Sequence, residues 1–249
     1  MGGGRFVGHA LVSAAQSADW SVTAFNRGRT SPPPRGTGFV QGDRYNSADL
    51  ARLAQHGPWD VVLDTSGYVP RNTLEVCQAL RAVAGRYIFL STVSVYADWP
   101  KKPLSERSPL LPSSADAGPD YGSDTEDGPT QYGYQKAGAE AAVLQAFGEQ
   151  DSTILRPGVV LGPREYVGRL PWWLRRISAG GTVLAPGDPR RNIQPIDVRD
   201  LAEFALLAAN QGISGAFNLA APMDRDTFGS LLESCKLATS QRRSLLGTR

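Results

Sequence analysis

Gly2-Gly3-Gly4-Arg5-Phe6-Val7-Gly8 opens the chain, and Val22-Thr23-Ala24-Phe25-Asn26-Arg27-Gly28-Arg29 follows about one helix later. Glycines in such a loop let backbone N–H groups approach an anion, which then sits at the positive end of the helix that begins there. A glycine run at a terminus serves equally as a flexible start, so the loop does not decide the fold alone. The succession does: loop, helix, then a strand whose end carries polar and basic residues is the local context that phosphate binding requires.

Working outward, short apolar runs alternate with helical patterns along most of the 249 residues. The expected strands are Ser21–Phe25, Gly38–Gln41, Asp60–Asp64, Tyr87–Ser91, Thr153–Leu155 and Ala216–Leu219. Helices are expected near Val7–Ala18, Ala48–Gln55, Asn72–Ala84, Tyr132–Gly148 and Val198–Asn210. Strands that alternate with helices of this length predict an α/β fold, a doubly wound parallel sheet with helices on both faces. Blocks such as Val61-Val62-Leu63 and Ile88-Phe89-Leu90 are apolar throughout, as strands covered on both faces require. Ala97–Gln131 breaks the rhythm and reads as one long loop. After Pro163 the pattern is irregular, so we expect a dinucleotide-binding domain over 1–162 and a small substrate lobe over 163–249. Within that lobe, 193–219 should return to the sheet.

Composition excludes several function classes. The net charge is +2 with basic residues dispersed, so no nucleic-acid surface is visible. No run approaches the roughly 18 apolar residues of a membrane span, and no charged-then-apolar leader precedes the glycines. Cys77 and Cys235 lie too far apart for a paired motif, and His9 and His56 make no zinc spacing with them. The acidic residues Asp116, Asp120, Asp124, Glu126 and Asp127 read as a solvated loop, so no metal is expected. A reducing, cytoplasmic setting is the default expectation.

Two constellations carry chemistry. Tyr132 and Lys136 stand four apart at the start of a helix, hence on one face. An ammonium near a phenol favours the phenolate and makes the tyrosine usable as a general acid or base. Tyr134 has Gly138 at the same offset and is the weaker choice. Ser91-Thr92-Val93-Ser94 ends an expected strand, where a doubly wound sheet places its ligands and where hydroxyls can hold a substrate oxygen; capping of backbone groups is the other reading. At the end of the second expected block, Asn26 and Arg27 stand where an acidic residue would read the ribose hydroxyls of NAD(H). A guanidinium suits a 2′-phosphate, so NADP(H) is favoured over NAD(H). Asp43 is placed to accept from the adenine amino group or to act as a plain turn carboxylate. Tyr68 and Trp172 are candidate substrate neighbours, and Trp172-Trp173 also reads as packing.

These motifs, with Gly42-Asp43-Arg44, Leu155-Arg156-Pro157-Gly158 and Ile196-Asp197-Val198-Arg199-Asp200-Leu201-Ala202, resemble the extended short-chain dehydrogenase/reductases, the NAD-dependent epimerase/dehydratase family. The resemblance runs roughly from Gly2 to Pro222. It implies a Rossmann-type sheet, Tyr132 as acid/base, Lys136 on the nicotinamide ribose, and Thr92, with Ser94 as understudy, orienting the substrate. It further implies Gly2, Gly3, Arg5, Phe6 and Gly8 around the pyrophosphate and, as in many relatives, a homodimer. Arg5 replaces the usual middle glycine and is a candidate phosphate contact. Ile193 stands where nucleotide-sugar members carry arginine. Only Met1 precedes the glycine loop, so the apolar first strand is expected to be missing from the centre of the sheet, and the C-terminal lobe to be cut short. The chain thus reads as an incomplete or mis-started copy.

The function expected first is an NADP(H)-dependent reductase or dehydrogenase of a small carbonyl or alcohol. The alternatives are a nucleotide-sugar epimerase/dehydratase with tightly bound NAD(P), a non-catalytic NADP(H)-sensing or RNA-binding protein, and an inactive fragment.

Overall fold

The structure, a computed structural model, describes residues 1–126 and 128–246. The chain forms two compact units, Met1–Gly158 with Arg199–Leu219, and Val159–Val198 with the chain from Ala220 onward.

The first unit holds the doubly wound α/β architecture. In chain order it contains α1 (Phe6–Ser17), β1 (Thr23–Asn26), β2 (Gly38–Gln41), α2 (Ser47–Gln55), β3 (Trp59–Asp64), α3 (Pro70–Leu80) and β4 (Ala84–Leu90). A 3₁₀ turn (Val93–Val95), α4 (Gln131–Phe147) and β5 (Ser152–Pro157) follow; the chain later returns through α6 (Val198–Asn210) and β9 (Gly215–Leu219). Every strand pair in this unit is parallel. The strands nonetheless form two sheets, a pair β2-β1 and a four-stranded sheet β3-β4-β5-β9. One buried cluster underlies both, from Phe25 and Val40 through Leu50 and Val62 to Tyr87, Phe89 and Ile154. All six residues of β5 are buried, the polar Ser152, Thr153 and Arg156 among them, as a strand covered on both faces requires.

Local chemistry sets the ends of the helices. Asn46 accepts from the N–H groups of Ala48 and Asp49 and caps α2, Pro70 occupies the first turn of α3, and Thr130 accepts from Gly133 N–H at the start of α4. Helix α3 stops at Leu80, short of the expected Ala84, because Ala84 already begins β4. The sequence hides this start behind Gly85, whose bare Cα lets the Asp60 carbonyl approach; a Cβ there would lie 2.9 Å from that oxygen.

The second unit contains β6 (Val160–Leu161) paired with β8 (Ile196–Asp197), β7 (Asn192–Ile193) paired with β10 (Asp226–Thr227), and helices α5 (Arg169–Ser178) and α7 (Phe228–Leu246). The sequence reading missed all of these elements except as irregularity. Two-residue strands leave no period to detect, and no residue of α5 is fully buried.

Inside the first unit, Arg44 grips Asp64 with both ends of its guanidinium, at 2.9 and 3.1 Å, and Tyr87 Oη donates to the same carboxylate at 2.7 Å. Burial by itself would raise the Asp64 pKa, but the adjacent guanidinium holds the carboxyl far below the usual carboxylate range. Arg44→Met strands this carboxylate without its partner and should cost about 3–5 kcal/mol of unfolding free energy. Urea denaturation at pH 7 measures it; a loss below ~1 kcal/mol would show that Asp64 finds another counter-charge.

Candidate active site

Helix α1 starts directly from the glycine loop. Gly2 and Gly3 take φ of 97° and 100°, a region that disfavours side chains. A Cβ on Gly8 would come within 2.6 Å of the Gly3 nitrogen, so the helix can begin this close to the loop only as glycine. No side chain caps the helix start and no acidic residue lies in its first turn. That end of the helix suits an anion, and the loop's backbone fits the pyrophosphate of a dinucleotide. Arg5 is the N-cap residue and Phe6 the first helical residue, with φ of 27°.

At the end of β1, the Asn26 amide donates to Gly2 O at 2.9 Å and its oxygen accepts from Gly28 N–H at 2.8 Å. Asn26 therefore ties the glycine loop to the turn that carries the exposed Arg27 and Arg29. Asp43 accepts from Tyr45 N–H at 3.1 Å, and its own N–H donates to Asp49, an arrangement typical of a turn carboxylate.

The second cluster lies at the carboxyl end of β4. Helix α4 packs directly on the segment after that strand: a Cβ on Gly133 would fall 2.3 Å from Ser94 O. This contact sets the first turn of α4, which carries Tyr132, against the segment that follows β4. Thr92 Oγ1 accepts from Ser94 N–H at 3.2 Å and lies 3.3 Å from Ser94 Oγ, so the threonine caps the 3₁₀ turn. Tyr132 is 43% exposed. Tyr68 links the pair: its ring centroid is 6.3 Å from that of Tyr132 and 5.5 Å from Lys136 Nζ. Tyr134 instead packs edge-on against Tyr121, centroids 6.2 Å apart.

Lys136 is buried. Its Nζ donates to Gly67 O at 2.8 Å and to Leu90 O, and stands 4.1 Å from the centre of the Phe89 ring. Burial is the leading cause that brings its pKa down to about 7, against the pull of Asp64 and Glu140. One turn further along α4, Glu140 forms a fork with Arg156 of β5 (Nε to Oε1, 2.9 Å; Nη2 to Oε2, 2.6 Å) and accepts from Ser91 Oγ. Arg156 Nη1 donates to Tyr96 Oη at 2.9 Å, and that hydroxyl donates to Asn218 Oδ1 at 2.7 Å. The sequence signalled this network only faintly: a charge inside an apolar strand at Arg156, and an acid four residues after Lys136.

Trp172 belongs to the second unit, where it meets Trp173 edge-on at 4.6 Å, and Trp173 meets Phe228 at 5.5 Å. Within the acidic loop, Asp116 accepts from Ser114 Oγ and Asp124 from Gln131 N–H; Asp127 lies outside the described residues. Among the described residues no cluster of His, Cys, Asp or Glu is arranged to hold a metal. Cys77 and Cys235 are buried free thiols, and burial pushes the Cys77 thiol up to about 12.

Residues 1–220 match the sequence profile of the NAD dependent epimerase/dehydratase family. The chain belongs to that family. It is thereby an enzyme of the extended short-chain dehydrogenase/reductase type, as the motifs implied. Several solved structures share its fold. The UDP-glucose 4-epimerase of Thermus thermophilus, in complex with NAD, is 20% identical with a TM-score of 0.72 over 96% of this chain and 81% of that one. The dTDP-glucose 4,6-dehydratase of Bacillus anthracis, in complex with NAD, is 17% identical with a TM-score of 0.73 over 100% and 80%. The UDP-N-acetylglucosamine 4-epimerase of Methanobrevibacter ruminantium is 23% identical with a TM-score of 0.70 over 93% and 78%. No curated protein matches the chain significantly.

Two outcomes follow from this geometry. Gly133→Ala forces α4 off the Ser94 carbonyl and should cost about 1–3 kcal/mol of stability, read by thermal melting. The second concerns pH. The unfolded chain holds the Lys136 proton up to ~10.4, whereas the folded chain releases it near 7. Between those values the unfolded state binds more protons, so this group makes the fold more stable as pH rises. Lys136→Met should flatten the climb of Tm between pH 7 and 10; an unchanged slope would mean that Lys136 is not desolvated.

Proposed function

We propose that this chain catalyses hydride exchange between a nicotinamide dinucleotide and the carbon of a carbonyl/alcohol pair, with Tyr132 moving the proton. The observation that carries the reading is the position of Lys136. Two backbone carbonyls fix it, Leu90 O at the end of β4 and Gly67 O in the loop after β3, one helical turn from Tyr132 and beside the Tyr68 ring. A cation held there favours the phenolate of a tyrosine on the same helix face, which suits Tyr132 to take or return a hydroxyl proton. Thr92, with Ser94 beside it, presents hydroxyls at the strand end and holds the substrate oxygen. The dinucleotide supplies or accepts the hydride; Gly2, Gly3 and Gly8, with the start of α1, would hold its pyrophosphate.

The cofactor proposed is NADP(H). Asn26 is uncharged and engaged with Gly2 and Gly28, so no carboxylate stands there to repel a 2′-phosphate, and Arg27 and Arg29 are exposed beside it. The substrate proposed is a small carbonyl or alcohol. A second reading, a nucleotide-sugar epimerase/dehydratase that regenerates its bound NAD(P), is favoured by the names of the proteins that share the fold. No helix among the described residues is long and apolar enough to cross a membrane.

Tyr132→Phe should lower kcat by about 10²–10⁴-fold while cofactor binding, read by fluorescence titration, stays intact; full turnover by the variant would remove Tyr132 from the chemistry. Arg27→Ala should weaken NADPH about 10–100-fold and leave NADH unchanged. Equal losses for both cofactors would mean that Arg27 reads no 2′-phosphate. Absorbance at the reduced nicotinamide band separates the two readings, because a reductase changes it with every turnover and an epimerase returns it to its starting value.

A further inference from the structure

Asp64 ends the apolar run of β3 with a carboxylate that is 1% exposed, and no step of the proposed chemistry uses it. Its Oδ1 accepts from Arg44 Nη1 at 2.9 Å, Ser66 N–H at 2.9 Å and Ser66 Oγ at 3.0 Å. Its Oδ2 accepts from Arg44 Nη2 at 3.1 Å and Tyr87 Oη at 2.7 Å. An aspartate that accepts from the N–H two residues on closes a local turn. This turn carries the chain from β3 to Gly67.

Gly67 is pressed between the groups that matter. A Cβ there would lie 2.6 Å from the Phe89 ring, 3.0 Å from Thr73 Oγ1 and 3.1 Å from Asp64 Oδ2. The Gly67 carbonyl accepts from Lys136 Nζ at 2.8 Å, and the same nitrogen stands 4.1 Å from the centre of the Phe89 ring. The Asp64 carboxylate and the Lys136 amine thus flank one glycine, and both are buried.

The charge balance points the same way. Among the described residues of the first unit, the buried charged side chains are Arg44, Asp64, Lys136, Glu140 and Arg156. Asp64 pairs directly with Arg44, and Glu140 with Arg156. Lys136 instead donates to two carbonyls, which are neutral, so its charge is balanced from further away. In a low-dielectric interior a carboxylate beyond hydrogen-bond reach still has a large effect. Burial, the largest influence on Lys136, disfavours the ammonium; Asp64 and then Glu140 favour it, and Arg44 opposes it. The neighbouring groups do not replace Asp64. Burial pushes the Tyr87 phenol well up, so it remains a neutral donor, and burial pushes the Met1 amine down. Tyr68 offers Lys136 a ring face at 5.5 Å, and Tyr132 lies one turn back on the same helix.

We infer that Asp64 is a positioning residue for the Tyr132–Lys136 couple: it shapes the turn that offers the Gly67 carbonyl to Lys136, and it supplies the negative charge that keeps this amine an ammonium. The inference rests on the proposed role of Tyr132, but its test does not, because Lys136 can be titrated directly. The chain has four lysines, Lys101, Lys102, Lys136 and Lys236, so NMR of the full chain carrying isotope-labelled lysine resolves them, and Lys136→Met assigns the signal. The Lys136 midpoint, near 7 in the parent chain, should fall by about one pH unit or more in Asp64→Asn. That variant leaves the Arg44 guanidinium buried without its partner, which lowers the midpoint by itself and endangers folding. The paired variant Arg44→Met/Asp64→Asn removes both charges and strands neither. It should still lower the midpoint, by less than Asp64→Asn does. A residue that served stability alone would change Tm and leave the midpoint of the folded chain in place. A midpoint unchanged or raised in the paired variant overturns the inference, whatever Tyr132→Phe does to turnover. A lowered midpoint combined with full turnover by Tyr132→Phe overturns the catalytic reading alone and leaves Asp64 as the counter-charge of Lys136.

Discussion

The reach of Lys136 from α4 to the carbonyls of Gly67 and Leu90 is the interaction on which the site depends. Backbone carbonyls left without a ladder partner need donors once they are buried. Lys136 supplies donors to Leu90 O at the end of β4 and to Gly67 O in the loop after β3 with one side chain. Doing so pins the first turn of α4 over the strand ends, which fixes Tyr132 relative to the hydroxyls of Thr92 and Ser94. Burial of the ammonium carries a desolvation penalty, visible in a pKa brought down to about 7. The group that positions the helix is thus also poised to change charge near neutral pH, which suits one that tunes a neighbouring phenol.

A second buried pair repeats this logic one turn along the same helix. Glu140 and Arg156 join α4 to β5 through two charge-assisted hydrogen bonds, and Arg156 carries the link on to Tyr96 and Asn218. Ion pairs this deep are weak evidence for stability, since apolar side chains of equal volume often serve as well. Their effect here is on geometry. A fork between helix and strand permits one register, and Ser91, immediately before Thr92, is tied into the same carboxylate. The arrangement of the strand end follows from charges that would be costly to bury in any other position.

Much of this was legible in the sequence because periodicity and motif spacing are local properties. The order of elements in the first unit, the unbroken apolar strands and the adjacency of Tyr132 and Lys136 all depend on residues within a few positions of one another. Whether Tyr132, Lys136 and Thr92 act together on a substrate is a proposal that the geometry supports. What the sequence left hidden was pairing across distance: Arg44 with Asp64, Glu140 with Arg156, and the contact of Gly133 with Ser94. Each is encoded by one ordinary-looking residue whose partner lies 16 to 39 positions away. The second unit was illegible for a different reason: its strands are two residues long, and no residue of α5 is fully buried.

The gap between β1 and β3 divides the proposed site along a physical line. Thr92, Tyr132 and Lys136 rest on the four-stranded sheet and α4, whereas Asn26 and Arg27 rest on the β1-β2 pair. Across the gap, backbone pairing is limited to the bonds of Met1 and Gly2 among the described residues, although side chains of both sheets share one core cluster. Both sheets rest on one close-packed core, and such interiors yield little, so packing holds the two parts of the proposed site in register where backbone pairing is sparse. A ligand that contacts both the Arg27 turn and the Lys136 cluster would therefore draw on side-chain packing as well as on hydrogen-bonded strands for its geometry.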